Sequence, residues 1–326
     1  DVIAVSGSAT VGGTLNGSLI SGFAPTSVQN FDIITGASVL GSFSTSNLPA
    51  GFNGAVVGGV YRLNQSGVFC IGICWNGGAG TTLWSDALNW TGGVLPGAND
   101  VVQLNLVSGV TVNHASGTDI IRGLNSIANN NLVISGGSLT LNDPLATSTL
   151  AGGLTLSGGT LISNGTLNAA TLNMSAGTLT SNGVLNAATL NMNGGTLNGT
   201  GGLAVTSGFS QLAGIINIAG GVTIAQAIGA LSLGQITAGA ILATAQAGSL
   251  STTAPLVAQS GAIALTGTSG TMTLGGTIQA SGNLTITNAG PITNSGTLSY
   301  GGVGAISADG GAGTFTNNGV LRPGGA

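Results

Sequence analysis

Two consecutive stretches in the middle of the chain decide the fold: residues 163–180, SNGTLNAATLNMSAGTLT, and residues 181–198, SNGVLNAATLNMNGGTLN. They are identical at fourteen of eighteen positions. Within each stretch, apolar and polar residues alternate, as in Leu172-Asn173-Met174, and Gly or Asn-Gly follows each short run. This period of two is typical of strands, whereas Gly in a helix interior costs about 1 kcal/mol relative to Ala. The pattern predicts three short strands and three bends per repeat, which make one coil of a β-solenoid.

Stacked coils bring equivalent residues into columns at about 4.8 Å, the spacing of paired strands. The repeat also extends, more loosely, over residues 145–162. Matched Asn and Thr residues predict hydrogen-bonded ladders along the stack. The predicted apolar interior consists of three columns: Leu154, Leu172 and Leu190; Leu156, Met174 and Met192; Leu161, Leu179 and Leu197.

The fold class that we expect is all-β, with a β-solenoid of about 18–20 residues per coil and about ten coils. We assign residues 105–326 to the regular solenoid, with its clearest repeats at 145–198. Residues 75–104 are predicted to form a Trp-rich loop or capping module. Residues 1–74 are predicted to be β-rich and less regular, and to form further coils. The chain begins inside one repeat unit and ends inside another, so we expect neighbouring segments or copies to complete its ends.

Charge is almost absent from the chain. Of 326 residues, three are Arg and seven are Asp, and no charged residue lies between residues 145 and 308. Like charges directly opposite each other on paired strands are destabilising, so an in-register stack favours uncharged residues. Three separated Arg residues cannot form the basic track that nucleic acid or an anionic membrane surface requires. Gly, Gln, Asn or Thr interrupts the apolar stretches every few residues, which argues against insertion into a membrane.

Cys70 and Cys74 are the only cysteines, in the sequence CIGIC. A zinc site needs about four ligands, and the single His, His114, is distant in sequence. A straight strand would hold the two Cα atoms too far apart for a disulfide, but a bend at Gly72 would bring them together. We favour a structural disulfide between Cys70 and Cys74; free buried thiols and an intermolecular link are the alternatives. A disulfide would fit an extracellular compartment.

The seven Asp residues give only a weak case for catalysis. Glycoside hydrolysis needs two carboxyl groups about 5–9.5 Å apart, and stacked coils could pair Asp119 with Asp100 or with Asp143. An ion pair between Asp119 and Arg122 is the simpler expectation. No catalytic residue, cofactor or metal ion is therefore predicted. Calcium at Asp86, Asn89 and Asp100 is conceivable, but caps of turns are favoured for these side chains.

Trp75, Trp84 and Trp90 are the only tryptophans of the chain. They predict either packing that seals one end of the solenoid or, as a second hypothesis, a platform on which sugars stack. His114 is expected to be a turn or surface residue.

Three features resemble bacterial autotransporter passenger regions and filamentous-haemagglutinin-like β-helix adhesins. They are the run GFAPT…FDIITG…GSFS…LP at residues 22–49, the module W…WSDALNW…P…DVV at residues 75–102, and the Gly-x-Leu ladder from Leu132 onward. The resemblance implies a right-handed parallel β-helix that is secreted to the bacterial cell surface and acts in adhesion, biofilm or surface fibres. Fold-level likeness does not by itself fix a function.

Our leading functional hypothesis is a structural, extracellular β-solenoid without enzymatic activity, which assembles head to tail with copies of itself by strand addition. The alternative is an adhesin stalk or tip that binds a surface glycan through the Trp-rich module. An ice-binding solenoid is weaker, because the column of Thr160, Thr178 and Thr196 is short. A polysaccharide-active enzyme is the most remote alternative.

Overall fold

A computed structural model describes residues 2–18, 30–48, 52–65, 72–106, 108–308 and 313–324. The strands of its N-terminal part are β1 (Ile3–Ala4), β2 (Ser8–Val11), β3 (Thr14–Asn16), β4 (Asn30–Thr35), β5 (Ser38–Gly41), β6 (Thr45–Asn47), β7 (Phe52–Val57) and β8 (Val60–Gln65). The middle part contains β9 (Ile73–Cys74), β10 (Val101–Leu104), β11 (Val110–His114), β12 (Thr118–Ile121), β13 (Gly123–Ser126), β14 (Asn130–Ile134), β15 (Ser138–Leu141), β16 (Thr147–Leu150), β17 (Gly153–Leu156), β18 (Thr160–Ser163), β19 (Thr166–Met174), β20 (Thr178–Ser181), β21 (Leu185–Gly199) and β22 (Leu203–Gln226).

The strands of the C-terminal part are β23 (Leu231–Leu233), β24 (Gln235–Ala245), β25 (Leu250–Thr252), β26 (Leu256–Ala258), β27 (Ile263–Gly267), β28 (Met272–Leu274), β29 (Thr277–Ala280), β30 (Leu284–Asn288), β31 (Ile292–Asn294), β32 (Thr297–Tyr300), β33 (Gly304–Ala308), β34 (Phe315–Asn317) and β35 (Val320–Pro323). In the part of the chain that the structure describes, helix is limited to a 3-10 turn at Ala87–Asn89. None of these residues forms a helix with the length and apolarity needed to cross a membrane.

Residues 101–323 form a parallel β-solenoid of about 11 turns, which confirms the predicted fold class. Each strand pairs in parallel with its equivalent on the next coil, for example β18 with β20 and β20 with β21. In the clearest repeats, hydrogen-bonded side chains on adjacent coils are 18 residues apart, as for Asn168 and Asn186. The separation widens to 24 residues between Leu124 and Ser148, because these coils contain longer bends. At about 4.8 Å per coil, the solenoid is on the order of 50 Å long.

The interior is the apolar column arrangement that the repeat predicts. Leu154 is in register with Leu172, and Leu172 with Leu190. The other two columns are equally in register: Leu156, Met174 and Met192, and Leu161, Leu179 and Leu197. All nine side chains are at most 1% exposed. Burial of a Leu or Met side chain contributes about 1.5–3 kcal/mol, so these columns hold the stack together.

Glycine occupies one bend of five successive coils. Gly137, Gly159, Gly177, Gly195 and Gly214 all have a positive φ, between 59° and 89°. A Cβ on Gly177 would collide with the backbone carbonyl groups of Gly158 and Gly159 on the preceding coil. The bend therefore needs glycine for two reasons: its left-handed backbone, and the close approach of the neighbouring coil.

Asparagine side chains form hydrogen-bonded ladders on the outside of the coils. Asn186 Nδ2 donates to Asn168 Oδ1 at 2.8 Å, and Asn191 Nδ2 donates to Asn173 Oδ1 at 2.9 Å. The N-terminal strands contain the same contact, from Asn47 Nδ2 to Asn16 Oδ1 at 2.7 Å. An amide can donate to the coil on one side and accept from the coil on the other, so Asn stacks where a charged residue would repel its neighbour.

The N-terminal strands combine one pair of stacked coils with a hairpin. Strands β1, β2 and β3 pair in parallel with β4, β5 and β6, respectively. Strand β8 then pairs antiparallel with β4 and with β7. The predicted continuation of coils through residues 1–74 is thus interrupted by the antiparallel β7–β8 hairpin, a departure that the period-two pattern does not distinguish from a parallel coil.

Candidate functional site

The Trp-rich module covers the first coil of the solenoid. The amide of Trp75 donates to the carbonyl of Gln103 at 3.0 Å, and the amide of Trp84 donates to the carbonyl of Asn113 at 2.9 Å. Strand β9 pairs with β10, and Leu83 forms a parallel bridge with Asn113. The module therefore supplies strand partners to two sides of the coil.

The three Trp rings close the interior of that coil. Trp75 and Trp84 are 1% exposed and Trp90 is 0% exposed. The Trp90 ring lies edge-on to both others, with centroids 4.9 Å from Trp75 and 4.7 Å from Trp84, and its Nε1 donates to the Trp84 carbonyl at 2.8 Å. A sugar-stacking platform needs exposed ring faces. The platform hypothesis is therefore wrong for these buried rings, and the alternative of packing at a solenoid end describes them.

Asn89 stabilises the Trp-rich module through hydrogen bonds in its interior. Its side chain is fully buried, accepts from the Ala79 amide at 3.1 Å, and donates to Thr81 Oγ1 at 2.9 Å and to the Leu83 carbonyl at 3.1 Å. Asp86 accepts from the Thr81 hydroxyl at 3.2 Å, and Asp100 accepts from the Gly97 amide at 2.8 Å. All three groups thus hold local turns, as the favoured expectation had it, and no group of three or more potential His, Cys, Asp or Glu metal ligands occurs among the described residues.

Cys74 is disulfide-bonded and fully buried next to the Trp cap. Cys70, the only other cysteine of the chain, lies outside the described residues. The pairing of Cys70 with Cys74 therefore stays a prediction. Gly72, the residue expected to provide the bend, has a φ of +94°.

His114 is buried beneath the cap, so the expectation of a turn or surface position is wrong. Its Nε2 lies 2.9 Å from Asp119 Oδ2, and its Nδ1 lies 3.0 Å from the Gly136 carbonyl oxygen. Its ring is 5.9 Å from the Trp84 ring, centroid to centroid. Asp119 is therefore the partner of His114 and not, as expected, of Arg122.

Replacement of Asp119 by Ala is expected to destabilise the capped end by about 1–3 kcal/mol, because it leaves a buried imidazole nitrogen without its hydrogen-bond partner. Urea unfolding followed by Trp fluorescence measures this loss, since Trp84 adjoins His114. Arg122→Ala is the matched control: it likewise removes one member of a hydrogen-bonded pair, but the Arg122 side chain is 56% exposed. Equal losses in the two variants would contradict a role for the buried pair.

Two ion pairs between Arg and Asp occur among the described residues. Arg122 Nε donates to Asp143 Oδ2 at 3.0 Å, and Arg62 Nη2 donates to Asp32 Oδ2 at 3.0 Å. The pKa of Asp143 is lowered by its hydrogen bonds from the Leu145 amide and from Arg122, and Arg62 lowers the pKa of Asp32 in the same way. In each of these two contacts the charges are opposite in sign, so neither adds a like-charge repulsion.

The three carboxylates of the remote catalytic alternative have different hydrogen-bond partners. Asp119 lies opposite Leu139 on the next coil, whereas Asp143 reaches back to Arg122. Asp100 caps its own turn. The three carboxylates therefore have three different partners, and the pairing of Asp119 with Asp100 or Asp143 that the coil lengths suggested stays a prediction.

The last coil among the described residues is open on one side. Strands β33, β34 and β35 pair with β30, β31 and β32, respectively. The inward residues Phe315 and Leu321 lie in register with Ile292 and Leu298, which are 0% exposed, yet Phe315 is 38% and Leu321 43% exposed. The apolar interior and one edge of each strand are thus uncovered at this end, among the residues that the structure describes.

Sequence reasoning anticipated a Trp-sealed end but did not single out Phe315 and Leu321 as exposed residues of the last described coil. A shallow groove, lined by the methyl groups of Ala151, Ala170 and Ala188 beside Asn168 and Asn186, runs along one bend of the repeats and contains no ionisable group. No family model matches the chain, and neither a curated protein nor a solved structure matches it.

Proposed function

We propose that the protein is a structural rod that assembles head to tail by strand addition at its open coil. The observation that carries the proposal is the exposure of Phe315 and Leu321, which continue fully buried columns. Exposed strand edges with an apolar surface favour pairing with another chain. A further coil would cover both.

The partner that we propose is the N-terminal coil, strands β1, β2 and β3, of a second copy. Strands β1, β2 and β3 pair on one side only, with β4, β5 and β6, among the described residues. Val2 and Ile3 at this edge are 55% and 64% exposed. A three-stranded edge at one end of the chain thus matches a three-stranded edge at the other, and parallel addition would extend both without changing the fold.

Strand β35 is expected to contribute least to this contact. The amides of Val320 and Gly324 point back to the preceding coil, where they donate to Gly296 and Tyr300 at 2.9 Å. Amide directions alternate along a strand, so the position of Pro323 faces the next coil, and Pro has no N–H to donate. Hydrogen bonding to a second copy therefore depends mainly on β33 and β34.

We also propose an extracellular location, at a bacterial surface as the sequence resemblance implies. The disulfide at Cys74 supports an oxidising compartment. The proposed role is mechanical and involves no catalytic residue. An adhesin role for the Trp-rich module is less well supported, because its three rings are buried.

Assembly is expected to fail when charge is placed on the open coil. The double variant Phe315→Asp, Leu321→Asp should remain monomeric by sedimentation velocity, whereas the unaltered protein should form longer rods in electron micrographs, with an axial repeat of about 4.8 Å. Leu242→Asp is the matched control: Leu242 is 44% exposed, like Leu321, but lies on the side of the rod in β24. Monomeric unaltered protein at high concentration, or equal assembly of the double variant, would refute the proposal.

A further inference from the structure

Two Asn-Gly pairs lie one above the other at one bend of the solenoid. Asn164-Gly165 and Asn182-Gly183 both fall between strands, after β18 and β20. Asn182 Nδ2 donates to Asn164 Oδ1 at 2.9 Å, in an exposed position. The next coil continues the column with Thr200-Gly201, where the Thr200 hydroxyl donates to the Asn182 carbonyl at 3.3 Å.

Glycine is required after these asparagines. A Cβ on Gly165 would collide with the carbonyl oxygens of Ala146 and Asp143, and a Cβ on Gly183 would collide with the carbonyl oxygen of Gly165. The tight stacking of this bend therefore requires glycine. Glycine has no side chain that could shield its own backbone nitrogen from the side chain of the preceding Asn.

The backbone amides of these two glycines are also not held by a hydrogen bond. Among the hydrogen bonds of the described residues, none is donated by the N–H of Gly165 or Gly183. Asn16-Gly17 is the informative contrast. It too is an Asn-Gly pair with an exposed Asn, at the end of β3, and Asn16 Oδ1 also accepts from a stacked asparagine, but the Gly17 amide donates to the Asn47 carbonyl at 2.9 Å.

We propose that Asn164 and Asn182 are sites of spontaneous deamidation. The Gly165 or Gly183 nitrogen attacks the Asn Cγ, a C–N bond forms, and Nδ2 leaves as ammonia with the proton from the glycine amide. Water then opens the resulting succinimide at either carbonyl, which gives aspartate or isoaspartate. The net reaction consumes one water and releases one ammonia per site.

The products would add charge to the part of the stack, residues 145–308, that otherwise contains none. Aspartates at both positions would lie about 5 Å apart on adjacent coils, where like charges repel, and would lose the hydrogen bond between the two amides. Isoaspartate would in addition lengthen the backbone of the bend by one methylene group, against the in-register packing of the coils. The modification would therefore loosen the rod locally with age.

The test is incubation of the whole purified protein at mildly alkaline pH, followed by peptide mass spectrometry and an ammonia assay. Asn164 and Asn182 should deamidate about tenfold faster than Asn16, the factor by which one net amide hydrogen bond slows a step that must break it. The variant Asn164→Thr, Asn182→Thr, which adopts the residue of the next coil, should remove the fast release of ammonia. Equal rates at all three asparagines, or no release above that of the variant, would overturn the proposal.

Discussion

Replacement of Leu172 by Asp is expected to abolish cooperative folding of the solenoid. Leu172 is fully buried between Leu154 and Leu190. Removal of a buried Leu side chain alone costs about 2–5 kcal/mol, and an unpaired carboxylate in a dry interior adds several kcal/mol more. The sum is comparable with the whole stability of a folded domain, about 5–15 kcal/mol.

Circular dichroism during thermal and urea unfolding measures this effect. The control is Leu145→Asp, which introduces the same charge at a side chain that is 93% exposed. The control should unfold like the unaltered protein, whereas Leu172→Asp should lack a cooperative transition. A folded Leu172→Asp variant would mean that the columns are not the dry core described above.

The second large effect is expected at the column of glycine bends. Gly177→Val should destabilise the protein by about 3 kcal/mol or more, because a β-branched residue is strained at a positive φ and its Cβ would also collide with the preceding coil. The midpoint of urea unfolding is the measurement.

Gly80→Val separates the two causes. Gly80 has a φ of +71°, close to the +74° of Gly177, but an added Cβ would meet no atom within 4 Å. Its cost should be that of the backbone alone, about 1–2 kcal/mol. If both variants lose the same stability, then the approach of neighbouring coils does not constrain the bend.

The interior could be predicted from the sequence because residues one repeat apart lie directly above one another in a solenoid. Once the eighteen-residue repeat is recognised, the stacking of Leu154 on Leu172 follows from strand pairing alone. The same logic accounts for the Asn ladders and for the lack of charge. It holds where coil length is constant and fails where bends of different length shift the register, as between Leu124 and Ser148.

The candidate site was harder to predict because its contacts cross coils of unequal length. Arg122 is three residues from Asp119 but pairs with Asp143, which is 21 residues away. The burial of His114 depends on the Trp module that covers it, and no local pattern reveals that cover. The Trp residues themselves were recognised, with packing and ligand binding left as alternatives, and only their burial decides between these.

Because its two ends differ, we expect the solenoid to unfold locally from one end before the other. In a molecule whose coils contact only their neighbours, each coil is stabilised by the one on either side, so fraying starts where a neighbour is missing. At the end that contains His114, three Trp rings take the place of that neighbour, whereas at the other end Phe315 and Leu321 face water. Backbone amides should therefore exchange with solvent faster in β33–β35 than in the coils of the central repeats.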